Sequence, residues 1–166
     1  CMEYLFNYEG NITNKLIWEV NKILLQDIED VTYPGRYRFF DVEISGTNYK
    51  PPKNEDVKKL MTKLINDIKR LKSKMHPFEL ASYFHIEFER IHPFEDGNGR
   101  TGRAIMNLIL YREKYPLVFI PFKKREEYYK ALDRYNEGDK KQYYNLIFNI
   151  IRDQIKDYGH KYNKNK

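Results

Sequence analysis

Two apolar helical repeats meet at a short polar stretch, and that junction limits the fold of this chain more than any other feature. Leu80, Ala81, Phe84 and Phe88 recur at helical spacing and lead into Ile91. Beyond the junction, Ile105, Met106, Leu108 and Ile109 resume the same period as far as Tyr115-Pro116. Between them lies His92-Pro93-Phe94-Glu95-Asp96-Gly97-Asn98-Gly99-Arg100-Thr101-Gly102-Arg103. Residues 95–99 read as a tight loop feeding a helix N-terminus near Arg100. Glycines at 97 and 99 permit positive φ, so successive N–H groups can converge on an anion, and the helix dipole adds to that pull. Such a loop is suited to phosphate.

Arg100 and Arg103 are three residues apart and share a face in the first helical turn. Cations there oppose the helix dipole at a cost of about 0.3–1 kcal/mol each when exposed. A bound polyphosphate removes the conflict, because guanidinium forks pair with phosphate oxygens. Asp96 beside such a site suits Mg²⁺, which one or two carboxylates hold together with substrate phosphates. His92 is a candidate general base at neutral pH. A plain N-cap loop with surface arginines and a packed histidine accounts for each residue singly, but not for the set.

No Gly-Lys-Ser/Thr sequence follows a glycine loop anywhere, so this is not a Walker A. The stretch resembles the signature of the Fic (filamentation induced by cAMP) family, His-x-Phe-x-Asp/Glu-Gly-Asn-Gly-Arg-x-x-Arg, with every fixed position filled. Met75-His76-Pro77-Phe78-Glu79-Leu80-Ala81, His85 and Glu87-Phe88-Glu89-Arg90-Ile91 look like the helix that enters it. Tyr128-Tyr129 and Asn136-Glu137-Gly138-Asp139 resemble the segment closing the nucleotide pocket, so the likeness spans about residues 7 to 155.

The resemblance implies a protein adenylyltransferase that moves AMP from ATP to a Ser, Thr or Tyr hydroxyl of a target protein. On that basis His92 takes the hydroxyl proton, and Asp96 holds Mg²⁺ against the α- and β-phosphates. Asn98 and the amides around Gly97 and Gly99 cradle the phosphates. Arg100 neutralises the leaving pyrophosphate, and Arg103 meets the γ-phosphate. Tyr128, Tyr129 and Asn136 are candidate contacts to the base, with other nucleotides than ATP left open. Phe94 is a buried anchor. Doc-like kinases of the same family carry Lys where this chain has Gly99, which favours nucleotidyl transfer over phosphorylation.

Tyr8-Glu9-Gly10-Asn11-Ile12-Thr13 precedes an amphipathic helix with Leu16, Ile17, Val20, Ile23, Leu24 and Ile28 on its apolar stripe. Read locally, Thr13 or Asn11 caps the helix and Glu9 is solvated. By resemblance the segment is similar to the Fic inhibitory motif, Ser/Thr-x-x-x-Glu-Gly/Asn, whose glutamate pairs with the second signature arginine; here the pair is Glu9 with Arg103. The chain departs from that motif at Leu5. Three readings stay open: an adenylyltransferase restrained by Glu9, an enzyme removing AMP with Glu9 orienting water, or a nucleotide-sensing interaction module.

Pro34-Gly35 marks a turn, after which Tyr37, Phe39, Val42 and Ile44 interleave with polar residues up to Ser45-Gly46-Thr47-Asn48. This pattern predicts a small β-hairpin over 36–50, which in Fic proteins registers an extended segment of the target. Asn54 is placed to cap a helix with Val57, Leu60, Met61, Leu64, Ile65, Ile68 and Leu71 inward, and Pro77 sits in the first turn of the next. Later helices fall at about 123–137 and 139–158, leaving 159–166 as a frayed basic tail. The fold expected is an all-α bundle of Fic type with one hairpin flap. Residues 1–158 form one domain: an inhibitory segment and helix over 1–29, the flap, and core helices with the signature over 77–114.

A net charge of +6 and a pI of about 9.2 would admit nucleic acid, but the charges are dispersed along helix faces, which argues against it. The single Cys1 rules out an internal disulfide and suits a reducing cytoplasm. No transmembrane-length apolar run or signal peptide is visible. A chain opening Cys1-Met2 reads as a fragment or one with a cloning remnant, with further residues and domains expected in a longer protein. Association into homo-oligomers is left open.

Overall fold

The computed structural model describes residues 1–26, 28–45, 47 and 49–164, with side chains through Asp157. Among the described residues seven α-helices follow in order: α1 (Met2–Phe6), α2 (Asn14–Leu25), α3 (Asn54–Leu71), α4 (Pro77–Ile91), α5 (Asn98–Arg112), α6 (Arg125–Asn136) and α7 (Lys140–Lys164). A 3-10 turn, Phe122–Lys124, leads into α6. No helix among the described residues is long and apolar enough to cross a membrane.

The central pair is α4 packed along α5, with α2 and α1 against α5, α3 against α4, and α6 with α7 covering the far side of α4. Apolar stripes explain that arrangement: Phe84 and Phe88 of α4 meet Ile105 and Met106 of α5 in a core that also takes Leu16 and Ile17 of α2 and Met61 of α3. Leu5, at the position where the inhibitory motif has a hydroxyl, is fully buried in this core.

The helix starts follow local chemistry. Thr13 caps α2, its hydroxyl accepting from Leu16 N at 3.2 Å. Pro77 opens α4 in its first turn, and the His76 ring caps it by accepting from Phe78 N. Asn54, expected to cap α3, is instead its first residue, and its N–H, free of the helix ladder there, donates to Asp41 Oδ1 at 2.7 Å. Gly138, at φ 104, separates α6 from α7. The helix α7 runs on through Lys164, past residue 158 where the pattern put its end; residues 165 and 166 of the basic tail lie outside the described residues.

The predicted hairpin is corrected. Among the described residues of 36–50 there is no strand, and the turn residues Gly46 and Asn48 lie outside the description. Backbone groups that a partner strand would satisfy are met otherwise. Arg38 N donates to Pro93 O at 2.9 Å, and the buried Arg38 guanidinium donates to His92 O at 2.9 Å, Phe40 O at 2.9 Å and Pro52 O at 2.5 Å. The described residues of the segment form an irregular strap stitched to the signature loop.

Candidate active site

The loop between α4 and α5 is built from the chain ends that it joins. His92 closes α4 in a left-handed conformation, φ 49, which a non-glycine residue keeps only when its surroundings impose it. Here Arg38 fixes the His92 carbonyl from the strap side. Phe94 is buried, as expected of an anchor, and its ring packs on those of Tyr37 and Phe88. Asn98 is buried too, and both ends of its amide are used: Oδ1 accepts from Phe94 N and Nδ2 donates to Phe94 O, each at 2.9 Å. Its side chain therefore closes the loop on itself.

Gly97 supplies the N-cap of α5 at φ 76, and a Cβ there would stand 3.0 Å from Asn21 Nδ2 and 3.1 Å from a Leu25 methyl. The helix starts at Asn98, so the amides of Asn98, Gly99 and Arg100 lack intrahelical partners, whereas Thr101 N bonds to Gly97 O at 2.8 Å. A Cβ on Gly99 would come within 2.9 Å of Arg103 Nη1; the absence of a side chain there leaves room for that guanidinium. Arg100 and Arg103 border one cavity of about 300 Å³, with Leu24, Asn107, Phe119 and Ile120 on its walls. Asp96 accepts from Gly97 N at 2.6 Å and pairs with Arg100 at 2.9 Å, both side chains being about half exposed.

Burial holds the His92 imidazole down to about pKa 4, so the ring is neutral at pH 7. Its Nδ1 is buried without a hydrogen-bond partner, and the Glu89 backbone acts against the downward shift without reversing it. A proton on Nδ1 leaves Nε2 as the basic nitrogen.

Two more elements tie the loop down, and neither was found from the sequence. Asn21, fully buried, donates to Asp96 O at 3.0 Å and Thr101 Oγ1 at 3.2 Å, and accepts from Gly35 N at 2.8 Å. One side chain thus joins α2, the loop, the start of α5 and the Pro34-Gly35 turn. A polar residue one turn beyond Ile17 on an otherwise apolar stripe is a signal that could have revealed it. Arg38 carried no such signal, because alternation with Tyr37 and Phe39 put it on a solvent face.

Of the remaining predicted residues, Tyr128 meets Arg103 of the signature by a side-chain hydrogen bond, whereas Tyr129 and Asn136 are not gathered there. Tyr128 is buried with its hydroxyl 2.7 Å from His85 Nε2, Tyr129 is half exposed beneath Arg125, and Asn136 accepts from Arg90 Nε at 3.1 Å. None of the three borders the Arg100–Arg103 cavity. Glu9 is exposed, and no Glu9–Arg103 ion pair occurs among the described residues. Its neighbours are held instead: Arg112 near the end of α5 donates to Tyr8 O at 2.7 Å and Gly10 O at 2.6 Å.

The site is thus a helix–loop–helix with a neutral histidine at one end and two arginines beside a helix N-terminus whose first amides are unpaired. Residues 11–110 match the Fic/DOC family, and the chain belongs to that family. It is 37% identical over 140 residues to the protein adenylyltransferase Fic of Nematostella vectensis, covering 77% of this chain and 32% of that protein. To the protein of the same name from Drosophila persimilis it is 36% identical over 137 residues, covering 82% of this chain and 26% of that one. The chain thus spans about a third or less of the curated relatives that it matches. Among solved structures, residues 134–508 of Fic-1 from C. elegans superpose with a TM-score of 0.85 at 27% identity, over 94% of this chain and 46% of that one. A Fic family protein from Desulfovibrio desulfuricans gives 0.83 at 27%, over 96% and 50%.

Proposed function

We propose that this domain transfers the adenylyl group of ATP to a hydroxyl side chain of a protein. The observation that carries the reading is the neutral, largely buried imidazole of His92 at one end of the signature loop, with Arg100 and Arg103 at the other end opening onto a cavity whose walls do not include His92. His92 Nε2 takes the proton of the attacking hydroxyl. The hydroxyl oxygen bonds to the α-phosphorus, the bond from that phosphorus to the bridging oxygen breaks, and pyrophosphate leaves. The unpaired amides of residues 98–100 cradle phosphate oxygens, Arg100 meets the charge growing on the leaving group, and Arg103 reaches the γ-phosphate. Positioning and charge stabilisation supply most of such catalysis.

Asp96 fits Mg²⁺ as a single protein ligand. Among the described residues no three His, Cys, Asp or Glu side chains gather to form a closed metal site, and Mg²⁺ accepts one carboxylate completed by phosphate oxygens and water. Bound there, the ion supplies charge neutralisation for the phosphates. Asp96 must release Arg100 from their present ion pair, which frees that guanidinium for the leaving group.

The protein target docks on the strap, 36–50, where Phe39 is 62% exposed and stacks edge-on with Tyr33 and Phe40. The strap is tied to the loop through Arg38, which donates to His92 O and Pro93 O, and the turn before it adds a bond from Tyr33 N to Glu95 Oε2. Glu9 restrains the enzyme: Arg112 anchors the segment around Glu9 to α5, the helix that carries Arg103. Labelling with ATP carrying ³²P at the α- or γ-position tests the reaction class. Label from the α-position alone supports nucleotidyl transfer, and label from the γ-position would replace it with phosphorylation.

A further inference from the structure

A histidine acting as general base is usually aimed by a third group bonded to its far ring nitrogen. His92 lacks that partner, since its Nδ1 is buried with no hydrogen bond. The ring can then be aimed only through the main chain that carries it. That main chain is in a left-handed form, φ 49 and ψ 60, which a histidine keeps only under constraint. Three bonds constrain it. His92 N donates to Phe88 O at 3.0 Å as the last bond of α4. Arg38 Nε donates to His92 O at 2.9 Å, and Arg38 N donates to Pro93 O at 2.9 Å. Two of the three come from one residue, 54 positions away from His92 in the chain.

The burial of Arg38 fits a residue kept for this purpose. Its side chain is fully enclosed, while its acidic neighbour Asp41 stands 3.7 Å away with a side chain 65% exposed. Enclosing a cation with so loose a counter-ion is costly unless its donors are satisfied in another way. Carbonyls satisfy them here. Nη1 donates to Phe40 O at 2.9 Å and Nη2 to Pro52 O at 2.5 Å. A guanidinium is a rigid plane with its donors in a fixed fork. With both Nη groups held by the strap and the residues just after it, Nε has one direction left, toward His92 O. A lysine ammonium, a single point on a flexible stem, cannot serve three carbonyls spread around such a plane.

We propose that Arg38 is a positioning residue for His92: by holding the carbonyls of His92 and Pro93 it fixes the left-handed turn that closes α4, and so aims the imidazole at the target hydroxyl. Arg38 does through the main chain what the carboxylate of a Ser-His-Asp triad does through the ring. This rests on the reading that His92 takes the hydroxyl proton. Phosphate binding belongs to the other end of the loop, to Arg100, Arg103 and the first amides of α5. Loss of the Arg38 bonds therefore disturbs the base and spares the nucleotide.

The test uses the whole chain with Glu9→Gly, alone and combined with Arg38→Lys, Arg38→Ala or His92→Ala, its histidines labelled with ¹³C at Cε1. Self-labelling from ATP and Mg²⁺ is timed by intact mass, and ATP affinity is measured by calorimetry. The His92 imidazole signal is identified by its loss in His92→Ala. Arg38→Lys should slow labelling about 100-fold, the cost of misplacing a reacting group by about 1 Å. The His92 signal should move toward its position in the urea-unfolded chain, while ATP binds as before. In Arg38→Ala, millimolar guanidinium should restore both the labelling and the signal. An unchanged rate and signal in Arg38→Lys, with labelling lost in His92→Ala, overturns the role of Arg38 and leaves that of His92. A loss of ATP affinity that matches the loss of labelling also overturns it, because the damage is then to the whole loop. Full labelling in His92→Ala overturns both roles. If Arg38→Ala does not fold, Arg38→Lys decides; if no form labels itself, the His92 signal in Arg38→Lys decides, and a signal that stays in place overturns the proposal.

Discussion

Asn21→Ala should unfasten the signature loop without touching any phosphate-facing group. The amide is fully buried and serves three backbone or hydroxyl partners: Asp96 O, Thr101 Oγ1 and Gly35 N. A buried polar group that loses its partner costs about 1–3 kcal/mol. The vacated space lies next to Gly97 and Leu25, and a water entering it would recover part of the loss, so the low end applies and the total is about 3 kcal/mol. For a chain of this size that lowers Tm by about 6–12 °C. Urea unfolding followed by circular dichroism gives the free energy, and hydrogen exchange at the Gly35 amide, now without its acceptor, gives the local effect. A loss below about 1 kcal/mol with Gly35 protection unchanged would refute the claim that Asn21 joins α2, the loop and the turn.

Gly97→Ala adds a Cβ at φ 76, 3.0 Å from Asn21 Nδ2 and 3.1 Å from Leu25, and should cost about 1–3 kcal/mol in urea unfolding. Stability should fall as pH drops from 6.5 toward 4. His92 and His85 titrate near 6.5 when unfolded but near 4 and 3 when folded, so the unfolded chain binds more protons in that window; His92 alone accounts for at most about 3 kcal/mol. Glu89, raised to about 7, acts in the opposite sense between 4.5 and 7, and Glu89→Gln should steepen the acid loss. Thermal melts across pH 4 to 8 check both signs.

Much of the helical frame was legible because it is written locally. The stripes of α2, α3 and α5, the proline at the start of α4, the glycine loop and the Phe94 anchor each depend on residues within a few positions of one another. The strap was misread for the same reason. Alternation from Tyr37 to Ile44 satisfies a strand pattern, but a strand needs a partner, and here Arg38 and the His92–Pro93 carbonyls take that place across more than fifty residues of sequence. Asn21 joins groups 14 to 80 residues away, beyond the reach of periodicity. The neutrality of His92 comes from burial, which no spacing rule reports. Asn98, read as part of the loop over 95–99, is instead the first residue of α5, and its amide is spent on Phe94, a use that only the folded loop reveals.

The central claim is that His92 and the arginine-lined cavity transfer an adenylyl group, restrained by Glu9. Intact mass spectrometry of wild type, Glu9→Gly and Glu9→Gly/His92→Ala after incubation with ATP and Mg²⁺ addresses it most directly. The account predicts a gain of one adenylyl group on Glu9→Gly, little on wild type and none on the double variant. An equal gain on the double variant, or a gain of phosphate in place of AMP, would contradict it.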